Sequence, residues 1–149
     1  MTVWVDGDAC PVKAEIEAVA TRHKRPVKIV CNGGLRPSAN PLVEIIYVSE
    51  GLDVADRYIS EHATSGDVVV TADIPLAADC IAAGALVLQP DGSRLTERNI
   101  AQVLASRNLM TELRAAQPLS QGGGGRPFGK AERSRFRQAL EQGLRETNR

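Results

Sequence analysis

Six aspartates in this chain stand where an acid does nothing for a core. Asp6 closes the apolar run from Val3 to Val5, with Asp8 one glycine beyond it. Asp73 follows the run Val68 to Val70 after only Thr71 and Ala72, and Asp53, Asp56 and Asp79 fall within segments of helical pattern. Carboxylates that gather repel one another, and each holds its proton more tightly unless a cation is shared among them. The donors would all be oxygen, and the chain has only two histidines, His23 and His62, so the expected cation is Mg²⁺ or Mn²⁺ in preference to zinc. Such an ion orients a water and offsets charge on a phosphate under attack, which makes phosphodiester hydrolysis the chemistry this pattern suits. Each acid also has a plainer role open to it. Asp53 or Asp56 could cap a helix, Asp8 could cap the helix that Pro11 opens, and Asp79 could be a solvated face residue. Asp67, beside Gly66, reads as a structural turn residue.

Acids so scattered in sequence meet only if strand ends share one edge, and the hydrophobic pattern predicts that they do. Val3 to Val5, Val27 to Cys31, Leu42 to Val48, Val68 to Val70 and Ala85 to Leu88 read as strands; the triple valine is what a strand covered on both faces requires. Between them lie a helix opened by Pro11 with Val12, Ile16, Val19 and Ala20 at helical spacing, a helix with Val54, Ala55, Tyr58 and Ile59 on one face, and a third opened by Pro75. Two more helices are expected at 96–105 and 109–116. The alternation predicts an α/β fold, a three-layer α/β/α sandwich with a mostly parallel central sheet. In such sheets ligands bind beyond the carboxyl ends of the strands, which is where Asp6 and Asp73 would lie.

At 149 residues with 43% hydrophobic content, the chain can fill one core. The reading is an α/β domain over residues 1–120, then a Gly-rich linker and a basic helical tail over 121–149. Phe136, Leu140 and Leu144 give the tail helix a narrow apolar stripe, which would dock on the body or on a second copy in a homodimer. Net charge is zero, but residues 1–120 carry 11 Lys and Arg against 15 Asp and Glu, whereas 121–149 carry 7 against 3. A basic tail on an acidic body suits a polyanion partner. Cys10, Cys31 and Cys80, odd in number and widely spaced, read as reduced buried thiols. No run approaches the roughly 18 to 20 apolar residues of a membrane span, nor does the start resemble a signal peptide, so a cytoplasmic protein with no membrane partner is expected.

The ordered set DGDACP, GLDVADRYI, VVTADIPLA, NLMTELR and GGGGRPFGKAERSRFRQAL, running over nearly the whole chain, resembles the uncharacterised bacterial YaiI/YqxD family. That family is regarded as PIN-like and close to the NYN domains, which are metal-dependent nucleases acting mainly on RNA. The resemblance implies a PIN-like fold and an RNA-cleaving activity. It places the acid of the first strand on Asp6, that of the central helix on Asp53 or Asp56, and that after the fourth strand on Asp73, with Asp8 and Asp79 as further metal ligands. In that reading Asp6 and Asp73 are principal ligands, and Asp53 or Asp56 completes the shell or positions water. Thr71 hydrogen-bonds the phosphate, and Arg36, Arg126, Lys130, Arg133 and Arg137 contact the backbone of the RNA. Two other readings stand beside it. One is a catalytically silent PIN-like module that binds RNA. The other is a haloacid dehalogenase-like phosphatase with Asp6 as nucleophile, against which Cys10 and the lack of a suitable lysine motif both count.

Overall fold

In the computed structural model, which describes residues 1–7, 10–51, 53–116 and 128–147, the first strand is also the centre of the sheet. The elements run β1 (Val3–Asp6), α1 (Lys13–Arg22), β2 (Val27–Cys31), β3 (Val43–Tyr47), α2 (Val54–His62), β4 (Val68–Val70), α3 (Ile74–Ala82), β5 (Leu86–Leu88), β6 (Arg94–Leu95), α4 (Glu97–Ala116) and α5 (Lys130–Thr147). Among the described residues the strands form one sheet of order β3-β2-β1-β4-β5-β6. Every pairing is parallel except β5 with β6.

Side-chain alternation assigns the two faces. Val3 and Val5 of β1, Val68 and Val70 of β4, and Val27 and Ile29 of β2 point to a core shared with Ile16 and Val19 of α1 and with Phe136, Leu140 and Leu144 of α5. Trp4, Val30, Val69 and Val87 point the other way, to Ala55 and Ile59 of α2 and Leu76, Ala77 and Cys80 of α3, with Ile100, Val103 and Leu104 of α4 packed alongside. Three layers result, as the strand and helix alternation predicts. The tail helix docks on the body: its stripe is fully buried there. Polar contacts fix its angle. The Arg133 guanidinium donates to the Pro11 carbonyl at 2.8 Å and pairs with Glu15 at 3.2 Å, while His23 and Arg22 of α1 both meet Glu141. Gly92, at φ +93°, lies so close to α5 that a Cβ would stand 2.9 Å from the Arg135 carbonyl carbon.

Two expectations are corrected. The helices expected at 96–105 and 109–116 are one continuous helix, because Ser106, Arg107 and Asn108 include neither glycine nor proline to break it. The strand β6 was not expected. It is two residues long, too short to show a period, and forms only because the turn at Asp91, Gly92 and Ser93 folds the chain back along β5.

At the amino edge of the sheet, Asp67 is buried and accepts four hydrogen bonds, from the Thr2 and Thr64 backbone amides, the Thr64 hydroxyl and the Trp4 indole at 3.1 Å. Its reading as a structural residue fits that geometry. Because Phe136 fills the first core with no exposed surface, Phe136→Ala should cost about 3 to 5 kcal/mol in urea unfolding. A loss under about 1 kcal/mol would show that α5 is not part of that core.

Candidate functional site

β1 is followed outward by β2 and β3, and the chain then returns to β4 on the other side of β1. This reversal opens a crevice between the carboxyl ends of β1 and β4, the usual ligand position in open α/β sheets. Asp6 ends β1 there. Thr71 and Asp73 follow β4, and Asp53 and Asp56 stand at the start of α2 after β3.

Two adjoining cavities open at this edge and share Asp53 and Asp56. The larger, about 450 Å³, is walled by Asp53, Asp56, Arg57, Ser60, Asp73 and Asp79, together with Pro75 and Leu76. The smaller, about 140 Å³, adds Asp6 and Asn32. Five of the six aspartates singled out in the sequence therefore meet at one place. Asp8 lies outside the described residues, as does Arg126.

Thr71 holds two of them in position. It is 2% exposed, and its hydroxyl donates to Asp6 Oδ2 at 3.2 Å while accepting the Asp73 backbone N–H at 3.0 Å. The single hydroxyl proton is given to Asp6, so in this arrangement Thr71 braces the acids and has no proton left to offer a phosphate. Asp73 caps α3, its Oδ1 accepting the Leu76 amide at 2.9 Å. The capping role anticipated for Asp53 is not taken. Asp53 occupies the N-cap position of α2 but makes no side-chain cap bond, and its backbone is held left-handed at φ 64°. A non-glycine residue in that region is strained, and such strain gathers at functional sites.

Burial, then the charges of Asp73 and Asp6, a hydrogen bond to the Asp73 side chain and the charge of Asp53 push the Asp56 carboxyl up to about 7. The same crowding reaches Cys80, whose buried thiol is raised to about 12 by desolvation, with Asp79 and Asp56 adding to it. Cys10 is buried and raised for the same first reason. The three cysteines are unpaired and buried, and the burial that raises Cys10 and Cys80 disfavours the thiolate form that a nucleophile needs.

The cationic candidates fall elsewhere. Arg36 is exposed on the loop after β2, and Lys130 and Arg137 are exposed on α5. Arg133 is occupied by Glu15 and Pro11 and lies over the Phe128 ring at 5.2 Å. Arg57, Ser60 and Asn32 line the acid cavities without having been singled out in the sequence. Asn32 directly follows β2, so the strand-end rule that found Asp6 could have found it; Arg57 and Ser60 needed the helix orientation.

A sequence profile described as "Uncharacterized BCR, YaiI/YqxD family" matches residues 4–146 of the chain. A UPF0178 protein of Ruegeria pomeroyi is 60% identical over 148 residues, covering 99% of this chain and 96% of its own length. Another, of Roseobacter denitrificans, is 62% identical over 143 residues, covering 96% and 94%. A third, of Bradyrhizobium diazoefficiens, is 50% identical over 147 residues, covering 99% and 87%. No solved structure gives a significant match.

The raised Asp56 carboxyl has a consequence for the metal-free protein. A group whose folded pKa lies above its ordinary 3.8 binds more protons folded than unfolded, so it costs nothing well below pH 4 and lowers stability progressively as pH rises through about 7. In EDTA, Asp56→Asn should match the parent in thermal unfolding at pH 3.5 and melt higher at pH 8. An equal or lower melting temperature at pH 8 would contradict the crowding of charge at this position.

Proposed function

We propose that this chain, which belongs to the YaiI/YqxD family, is a metal-dependent nuclease of PIN-like fold that hydrolyses RNA phosphodiester bonds. The observation that carries the reading is the convergence of Asp6, Asp53, Asp56, Asp73 and Asp79 on two adjoining cavities at the crevice between β1 and β4. Five carboxylates there exceed what helix capping or solubility needs, and Asp73 alone acts as a cap.

The donor set fits a hard cation. All its atoms are oxygens, and the cleft contains neither histidine nor thiolate, which favours Mg²⁺ or Mn²⁺. Among the described residues no three acidic, histidine or cysteine side chains stand close enough to form a closed cage. That is compatible with Mg²⁺, which keeps several waters and takes one or two carboxylates together with substrate phosphate. Asp6 and Asp73 would hold the ion, and Asp53 or Asp56 would complete its shell or position water; Asp8 and Asp79 are the further acids of the expected set. When bound, the ion supplies polarisation of the phosphate and a more acidic water.

The chain's own residues do the rest. Thr71 fixes Asp6 and the start of α3 relative to one another, so the acids keep their spacing when an anionic backbone approaches. Arg57 supplies positive charge in the larger cavity. Arg36, Lys130 and Arg137 supply exposed positive charge for contacts that contribute affinity without sequence choice. We place the protein in the cytoplasm, where three unpaired thiols stay reduced; none of its described helices is long and apolar enough to cross a membrane.

Calorimetry with Mn²⁺ and cleavage of single-stranded RNA test the reading together. The parent should bind the ion and cut, and Asp6→Asn and Asp73→Asn should each lose at least about 100-fold in cleavage while remaining folded. RNA bound but never cut with Mg²⁺ or Mn²⁺ would support the silent binding module instead, and unaltered cleavage in both variants would remove the site.

A further inference from the structure

The same sheet edge has a second side. Across the segment Thr71-Ala72-Asp73 from the acid cleft lies a pocket of about 310 Å³, walled by Pro11, Ala72, Pro90 and Phe128, with Gln89 and Asp91 at its polar margin. Pro11 follows β1, Ala72 follows β4 and Gln89 follows β5, so the pocket caps three neighbouring strands at their carboxyl ends. Ala72 sits between Thr71, which holds Asp6, and Asp73 itself. Acid cleft and apolar pocket therefore back onto one three-residue ridge.

We infer that this pocket receives one nucleobase of a single-stranded nucleic acid whose backbone crosses the ridge to the acid cleft. Its size is at the lower end for small-molecule pockets, roughly 300 to 1,000 Å³, and suits one base. Its wall carries a planar ring backed by charge: the Arg133 guanidinium lies over Phe128 and is itself held by Pro11 and Glu15. A platform fixed in this way loses little freedom when a base stacks on it. The Gln89 side-chain amide makes no hydrogen bond among the described residues, although its backbone is fixed in the turn by Ser93 and Gly92. An amide with one acceptor and two donors complements the hydrogen-bonding edge of a base, which an apolar peptide side chain would leave unused. A paired duplex would have to unpair and unstack a base to fill the pocket, a cost that a single strand does not carry, so the substrate class is single-stranded.

The placement of the base relative to a scissile phosphate rests on the nuclease reading; the base pocket itself does not. Adenosine, which carries no phosphate, is the probe. Titrated into the full chain in EDTA and followed by NMR, it should shift the Ala72 methyl and Phe128 ring signals. Phe128→Ala should weaken its binding about tenfold, the size of one base–aromatic stack, and Phe128→Trp should restore it. Asp56→Asn should leave adenosine affinity unchanged. Gln89→Leu, which keeps the apolar wall, should weaken binding severalfold and serves if Phe128→Ala does not fold. Unmoved Ala72 and Phe128 signals, or an affinity equal to the parent's in both Phe128→Ala and Gln89→Leu, would overturn the inference. Failure of the chain to cut RNA would refute the nuclease and leave this result standing.

Discussion

A single hydroxyl sets the relation between the two acids at the middle of the sheet. Thr71 gives its proton to Asp6 at the end of β1 and takes the N–H of Asp73 at the head of α3, so two elements that carry like charge are tied through one buried atom. Everything that fixes Thr71 thereby fixes the crevice: the parallel register of Val3 to Val5 with Val68 to Val70, and the bond from the Thr71 amide to the Leu88 carbonyl on β5. Gly7 belongs to the same arrangement. A Cβ there would meet Ile29 Cγ2 at 2.6 Å, so the residue after Asp6 has to be small for β1 to finish tightly against β2.

Electrostatics and packing oppose each other at this edge. Desolvation and neighbouring charge make Asp56 the reluctant anion of the set, and Asp53 is held left-handed without the reward of a cap bond. The fold supports these costs from its two cores, where the valines of β1, β4 and β2 are almost wholly excluded from solvent. Proteins commonly keep such strained and crowded groups where chemistry occurs and stabilise them from elsewhere.

The long-period features were legible in the residues. Runs such as Val68 to Val70 and the spacing of Phe136, Leu140 and Leu144 follow from burial alone, and Asp6 and Asp73 could be found because charge at the end of an apolar strand has no packing role. What the sequence concealed was local or relational. β6 depends on a turn, the continuity of α4 on the lack of any breaker, and the brace of Thr71 on a contact across 65 positions. Arg133 illustrates the limit most clearly: in sequence it is one of several basic tail residues, and only docking shows it committed to Glu15, Pro11 and the ring of Phe128. Asp73 likewise carries a capping duty that its position ahead of Pro75 permitted but did not announce.

Trp4 lies in β1 two residues before Asp6, 4% exposed, its indole bound to Asp67, with the Lys28 ammonium 5.3 Å above the ring and Tyr58 and His62 nearby. It is also the chain's only tryptophan. The protein thus contains one indole fluorophore, at the middle of its central strand, anchored toward the amino edge while the acid cleft and Phe128 occupy the carboxyl edge. Its emission reports the integrity of the sheet and of its contact with α2, because the ring is held between the Asp67 carboxylate on one side and Tyr58 and His62 on the other.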